Sequence, residues 1–264
     1  MDYYHHNLDP IAFAWGDFVL PWYWLVYVLG FFLVFYASNQ MRQRWKLDFS
    51  KNQLIDVMTA AWCGLLLGGR LFYVIFYNFD YFWRSPQEII AFWRGGMSFH
   101  GGFLGAIAGI WIISYKQKKS FFRYTDIFVL SVPIVLVFGR IANFINGELV
   151  GRVTDVPWAV VFAKTYDELP RHPSQLYQAF SEGLLLWILL WRFRKKRQTQ
   201  SFLSTLFVLG YGLARFAVEF FRKADDQLGY YWMGLTMGQL LCGLMIVSSA
   251  IWLFLLKTRN PKKQ

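Results

Sequence analysis

The chain reads as an all-α polytopic membrane protein with seven transmembrane helices, its N-terminus outside and its C-terminus cytoplasmic. Three observations carry that expectation. The 264 residues are 56% hydrophobic and 21% aromatic but only 16% charged, too apolar a balance for a soluble domain. Seven apolar runs approach the roughly 20 residues that a helix needs to cross a bilayer. The basic residues fall in every second gap between those runs.

The runs lie at 18–37, 54–77, 97–115, 125–145, 175–191, 201–221 and 233–256. After the first come Arg42, Arg44, Lys46 and Lys51; after the third, Lys116, Lys118, Lys119 and Arg123. Arg192, Arg194, Lys195, Lys196 and Arg197 follow the fifth, and Lys257, Arg259, Lys262 and Lys263 the seventh. Those four gaps hold 17 of the 27 Lys and Arg residues and the alternate gaps only seven, so the first set faces the cytoplasm. An odd number of spans demands opposite ends, which agrees with the charge pattern. The net charge of +11 therefore reflects topology, and no nucleic-acid partner is expected.

The N-terminal segment through Asp17 lacks the basic start of a cleavable signal peptide, so the first span is expected to be retained. Cys63 and Cys242 stand alone in separate spans, which predicts neither a disulfide framework nor a metal site, and no cofactor is implied. The segment 146–174 is the one place for a small extramembrane element, between spans four and five. Its Gly147, Gly151, Pro157, Pro170 and Pro173 suit turns or a brief hairpin around Trp158 to Ala163. With no repeat or linker, residues 1–264 read as a single membrane domain.

Ionisable groups inside spans are costly and face a bundle interior or a wet cavity. Here they gather at one depth. Given the topology, Arg70, His100, Arg140, Asn143, Glu182, Tyr211, Arg215 and Glu219 fall in the outer halves of their spans, with Asn146 and Glu148 just beyond the fourth. Tyr211, Arg215 and Glu219 recur every four residues and share a helix face, as do Arg140 and Asn143 at a spacing of three. A surplus of guanidinium groups suits phosphate, because the planar fork donates paired hydrogen bonds and keeps its charge. Two bland readings stay open: an intrahelical ion pair between Arg215 and Glu219, and an Arg70 that snorkels to the outer headgroups.

The run GRIANFINGE, Gly139 to Glu148, places an arginine, two amides and a carboxylate at a helix end, a composition that apolar packing does not require. Its amides can donate to phosphoryl or hydroxyl oxygens, and Gly139 and Gly147 permit close approach or a turn. This run resembles, residue for residue, the GRxxNFxNGE signature of the prolipoprotein diacylglyceryl transferase family. The likeness extends through GGRLFYVIFYN at Gly69 to Asn78, RGGMSFHGG at Arg94 to Gly102, LPRHPSQLYQ at Leu169 to Gln178 and GYGLARFAVEFFR at Gly210 to Arg222.

The resemblance implies a multi-pass enzyme of the bacterial inner membrane. It implies transfer of a diacylglyceryl group from phosphatidylglycerol to the lipobox cysteine of a preprolipoprotein, forming a thioether and releasing glycerol phosphate, the first step of lipoprotein maturation. The functional residues it implies are Tyr23, His100, Arg140, Asn143, Glu148, Gly151, Tyr211, Arg215 and Glu219, to which the polar clustering adds Asn146 and Arg70. His100 is the candidate base for the thiol, with a structural role at the helix start and base-free chemistry beside arginines as its rivals. Tyr23 and Tyr211 are candidates to orient substrate oxygens, though aromatic belts also place tyrosines at this depth. The alternative class, a transporter of anionic solutes or lipids, predicts paired repeats and broken helices, and the sequence suggests neither.

Overall fold

A computed structural model describes residues 2–16, 18–91, 95–165, 167–223 and 234–259. Asp17, Arg94, Lys262 and Lys263 lie outside the described residues. The chain forms two compact units, Met1–Tyr36 with Asp126–Gln264, and Ala37–Thr125. The architecture is mostly helical. Among the described residues, four helices are long and apolar enough to cross a membrane, five if the bent pair α5 and α6 is one span.

Both units take residues from α1 (Trp22–Arg44), which starts later than expected. Residues 18–21 belong instead to a hairpin of β2 (Ile11–Trp15) and β3 (Phe18–Pro21), with Trp15 opposite Phe18 and Gly16 at a positive φ of 57°. The hairpin escaped the sequence reading because an apolar strand and the start of an apolar helix look alike over four residues.

In the larger unit a three-stranded sheet runs in the order β1 (Tyr4–His6), β4 (Val160–Phe162), β5 (Pro170–Arg171). β1 pairs in parallel with β4, setting His6 against Phe162, and β5 returns antiparallel. The segment 146–174 thus supplies the anticipated short hairpin, while the N-terminal strand β1 adds a third strand to it. The expected fourth span is two helices, α5 (Phe121–Phe128) and α6 (Val132–Ile145), bent by 51°. Pro133 lacks an N–H and disfavours helical geometry in the residue before it, which accounts for the break.

The expected fifth span is helical from Ser174 to Phe193, but its middle, Ala179–Leu185, is a π-helix between α7 (Ser174–Gln178) and α8 (Leu186–Phe193). α9 (Phe202–Glu219) packs on α10 (Met237–Arg259). Asp126 fixes the start of α9: its carboxylate accepts from the Ser201 and Ser204 amides at 2.9 and 2.8 Å and from the Ser204 hydroxyl at 2.6 Å. These bonds answer donors that a helix N-terminus leaves without internal partners.

The smaller unit is built on α2 (Lys51–Phe76) and α4 (Phe99–Lys116), joined through α3 (Phe79–Arg84) and a 3₁₀ turn at Pro86–Ile90. A capping box between Ser50 and Gln53 starts α2. Small residues then let α2 and α4 touch backbone to backbone. A Cβ at Gly64 would stand 2.1 Å from the Gly105 carbonyl oxygen, and one at Gly68 2.3 Å from that of Gly101. This is the small-residue seam of membrane helix pairs, where van der Waals contact replaces the hydrophobic drive.

Candidate active site

The run GRIANFINGE ends α6 with a Schellman motif. Gly147, at a φ of +63°, donates its N–H to Phe144 O at 2.9 Å, and Glu148 N–H reaches back to Asn143 O at 3.1 Å. This reversal swings the Glu148 carboxylate over the helix end, where Oε1 accepts from Asn143 Nδ2 at 2.6 Å and from Asn146 Nδ2 at 3.4 Å. Gly147 is thus the turn glycine anticipated from sequence. Gly139 is neither a turn nor a close approach: it lies inside α6, and a Cβ there would meet no atom within 4 Å.

Beyond the turn, the outer segment is tied to the same place. Ser174 Oγ donates to Leu149 O at 2.9 Å and Gln175 Nε2 to Glu148 O at 2.5 Å. Gly151 is wedged between backbones, where a Cβ would lie 2.3 Å from His172 O and 2.7 Å from Phe221 O. The geometry accounts for Gly151 by this packing, which locks the HPSQ segment and the end of α9 beside Glu148.

Deeper in the same unit, charges alternate along a ladder. Arg140 Nη2 lies 3.0 Å from Glu182 Oε2, and Glu182 Oε1 lies 3.7 Å from Arg215 Nη1. Arg215 Nη2 is 3.0 Å from Glu219 Oε2, which is also 3.7 Å from Arg222 Nη1, and Thr236 Oγ1 donates to Glu219 Oε1 at 3.1 Å. The Arg215–Glu219 ion pair envisaged as a bland reading therefore exists, as one rung of a longer array. Three guanidinium groups face two carboxylates, and the surplus positive charge stands in a mostly buried setting.

The sequence reading set Glu182 in the outer half of the fifth span without assigning it to the site, and counted Arg222 only as a gap cation. Glu182 lies in none of the quoted runs, and its pairing comes from helix packing; Arg222 ends the run GYGLARFAVEFFR, three residues from its partner Glu219.

Tyr211, on the Arg215 face of α9, is within electrostatic reach of Glu182, Arg140 and Arg215, its ring stacked on Phe207 with centroids 6.0 Å apart. Tyr23 is reached through a residue the sequence did not single out: Tyr27 donates its hydroxyl to Tyr23 Oη at 2.9 Å and lies within electrostatic reach of Arg140 and Glu148.

Several buried polar atoms of this unit have no hydrogen-bond partner among the described residues: Arg140 Nε, Asn146 Oδ1, Gln175 Oε1 and both amide ends of Gln178. Folded proteins satisfy about nine in ten such groups, so a cluster of exceptions marks a place completed by a polar ligand or ordered water.

His100 and Arg70 belong to the smaller unit. His100 is exposed in the first turn of α4, whose N-terminus is capped by Ser98 Oγ accepting from Gly101 N–H at 3.4 Å. Arg70 is buried, and all five of its N–H groups are spoken for. Nε donates to Ile89 O at 2.9 Å, Nη2 to Glu88 O at 2.6 Å and Ala91 O at 3.3 Å, and Nη1 to Gly96 O at 3.0 Å and to Gly95 O. The guanidinium also lies 5.0 Å from the Phe82 ring centroid. Neither snorkelling nor a phosphate grip describes this residue; it clamps the connection that follows α3.

A family model described as prolipoprotein diacylglyceryl transferase matches residues 10–255. Among curated relatives, the phosphatidylglycerol–prolipoprotein diacylglyceryl transferase of Pseudomonas paraeruginosa is 44% identical over 260 residues, covering 97% of each chain. The protein of the same name from Aeromonas salmonicida is 43% identical over 245 residues, 93% of this chain and 89% of its own. That of Shewanella sp. is 45% identical over 250 residues, 91% of this chain and 93% of its own. The chain belongs to the prolipoprotein diacylglyceryl transferase family.

Proposed function

We propose that this protein transfers the diacylglyceryl group of phosphatidylglycerol to the thiol of a preprolipoprotein lipobox cysteine, forming a thioether and releasing glycerol phosphate. The observation that carries the reading is the ladder of three arginines against two carboxylates, beside amides with atoms that lack partners among the described residues. A phosphodiester needs that combination: guanidinium forks for its oxygens and neutral amide acceptors and donors for the glycerol hydroxyls.

In this reading the peptide thiolate attacks the glyceryl carbon bonded to the phosphate ester oxygen. The carbon–oxygen bond breaks as the sulfur–carbon bond forms, and the electron pair leaves on glycerol phosphate, where Arg140 and Arg215 stabilise the developing charge. Asn143, Asn146 and Glu148 hold the headgroup glycerol, Glu219 orients Arg215, and Tyr23 and Tyr211 orient ester oxygens. His100 takes the thiol proton; this assignment rests on the chemistry of imidazole alone, and His100→Ala with full turnover removes it. Arg70 is left out of the substrate-binding set because its donors are occupied.

The same proposal includes one membrane domain with seven spans in the bacterial inner membrane, the N-terminus periplasmic and the C-terminus cytoplasmic. The distribution of basic residues supports it, and the helices Phe99–Lys116 and Ser174–Phe193, with the bent pair α5 and α6 counted as one span, add to the four long apolar helices to make seven.

The test mixes purified protein with phosphatidylglycerol and a synthetic lipobox peptide and follows the peptide by mass spectrometry. The expected result is the mass gain of one diacylglyceryl group on the cysteine, with glycerol phosphate released in equal amount. An unmodified peptide would return the chain to the transport reading.

A further inference from the structure

We infer that Glu182 is a positioning residue that spaces Arg140 and Arg215 and limits how tightly their guanidinium groups hold an anionic headgroup. The inference rests on the proposed transferase function and adds to it a residue that lies outside the runs GRIANFINGE, LPRHPSQLYQ and GYGLARFAVEFFR.

The local structure is arranged around this carboxylate. Glu182 is fully buried within the π-stretch Ala179–Leu185. In a π-helix the bonds run from i to i+5, so the side chains are displaced from α-helical register, and such single turns concentrate at functional sites. The neighbouring Gly183 lets this stretch press on α6: a Cβ there would come within 2.3 Å of Val137 Cγ2 and 3.2 Å of Pro133 O. Arg140 sits one turn beyond Val137 on α6, and so meets Glu182 where the two elements touch.

The two carboxylate oxygens then divide the work. Oε2 takes Arg140 at 3.0 Å and Oε1 takes Arg215 at 3.7 Å, so one anion fixes the separation of both cations. An ionised carboxylate with no exposed surface is costly, and pairing with arginine offsets that cost without making the group a net source of stability.

Its charge has a kinetic consequence. With Glu182 ionised the array carries one net positive charge; with a neutral residue there it would carry two. Extra positive charge binds the substrate phosphate and the departing glycerol phosphate alike, so it strengthens ground-state binding without matching gain in the transition state, while loss of spacing misaligns the forks.

Glu182→Gln should therefore lower kcat by about 10- to 100-fold. KM for phosphatidylglycerol should stay level or fall, and glycerol phosphate should become a several-fold stronger inhibitor. Glu182→Asp keeps the charge but withdraws it by one methylene; kcat should again fall, with glycerol phosphate inhibition unchanged. If purified, folded Glu182→Gln matches the parent in kcat and in inhibition, Glu182 only fills a buried ion pair and the inference is overturned. Should Glu182→Gln fail to fold, the Asp variant decides: reduced kcat with unaltered inhibition supports the role, and parental kcat removes it. Failure of the underlying function looks different, since the parent protein would then leave the lipobox peptide unmodified, or Arg140→Ala and Arg215→Ala would leave its turnover unchanged.

Discussion

Two helix contacts in this protein use glycine to opposite ends. In the smaller unit, Gly64 and Gly68 of α2 face Gly105 and Gly101 of α4 so closely that carbonyl oxygens stand where side chains would begin. In the larger unit, Gly183 draws a π-stretch onto α6, and the contact delivers a carboxylate between two arginines. The arginines of the spans differ in the same sense. Arg70 gives every donor to backbone carbonyls, whereas Arg140 and Arg215 pair with carboxylates and Arg140 Nε has no partner among the described residues. A charge inside a membrane protein is thus functional by what its donors have left over, and depth alone does not decide it.

The contrast breaks most completely at the seam. Gly64→Leu or Gly105→Leu must displace a backbone carbonyl about 2 Å away, beyond the overpacking that ordinarily costs about 1–3 kcal/mol because side chains can still shift. We expect no monodisperse protein by size-exclusion chromatography in detergent. Gly243→Ala, whose new Cβ meets no atom within 4 Å, should behave as the parent and serves as the control.

At the charged contact the loss should fall on turnover instead. Arg140→Ala and Arg215→Ala each remove one donor group from the leaving phosphate, and donors aimed at developing charge are worth about 10²- to 10³-fold in rate. Both variants should elute as folded protein while transfer to the lipobox peptide drops by that factor. Arg70→Ala inverts the pattern. It takes the Arg70 donor from the carbonyls of Ile89, Ala91, Gly95 and Gly96, while that of Glu88 keeps the Ala91 N–H. At about 1 kcal/mol or more for each carbonyl left without a donor, stability should fall by at least about 3 kcal/mol. Turnover of the protein that remains folded should change by less than about 10-fold, well short of the loss expected at a transition-state donor. A full loss of turnover with unchanged stability would put Arg70 back among the substrate-binding residues.

These contrasts follow how the sequence could be read. Apolar length located every long helix, because twenty consecutive apolar residues have few other uses. It misplaced the start of α1, where residues 18–21 are as apolar as a span yet pair as β3. It also missed the bend before α6, which Pro133 could have signalled, and the π-stretch, which is decided by backbone bonding that composition does not encode. The motif GRIANFINGE exposed Arg140, Asn143 and Glu148 because polar groups at a helix end are conspicuous. Glu182 needed the packing of one helix on another, Tyr27 and Arg222 lay within four residues of Tyr23 and Glu219 but carried no feature that set them apart, and Arg70 needed its partners: an arginine in a span looks the same in sequence whether it holds a loop or a ligand.

The smallest effect concerns the strand that buttresses the turn after α6. His6 is buried against Phe144 and Phe162, with ring centroids 5.1 Å from each, and its ring lies 3.4 Å from where a Gly147 Cβ would stand. Burial lowers its pKa, with nearby Lys164 acting in the same direction, so the folded protein favours the neutral ring. The unfolded chain titrates near the ordinary value of about 6.5. Stability from this residue is therefore fully present above pH 6.5 and is lost as pH falls from there through the lower folded pKa. Burial lowers His172 as well, which adds to the slope, whereas Arg171 holds Asp167 at about 2 and keeps its contribution below this window. Thermal unfolding midpoints between pH 7.5 and 5 should decline in the parent and decline less in His6→Phe, which keeps an aromatic ring in the cage but cannot take up a proton. An identical decline in both would assign the acid sensitivity elsewhere and leave His6 as packing alone.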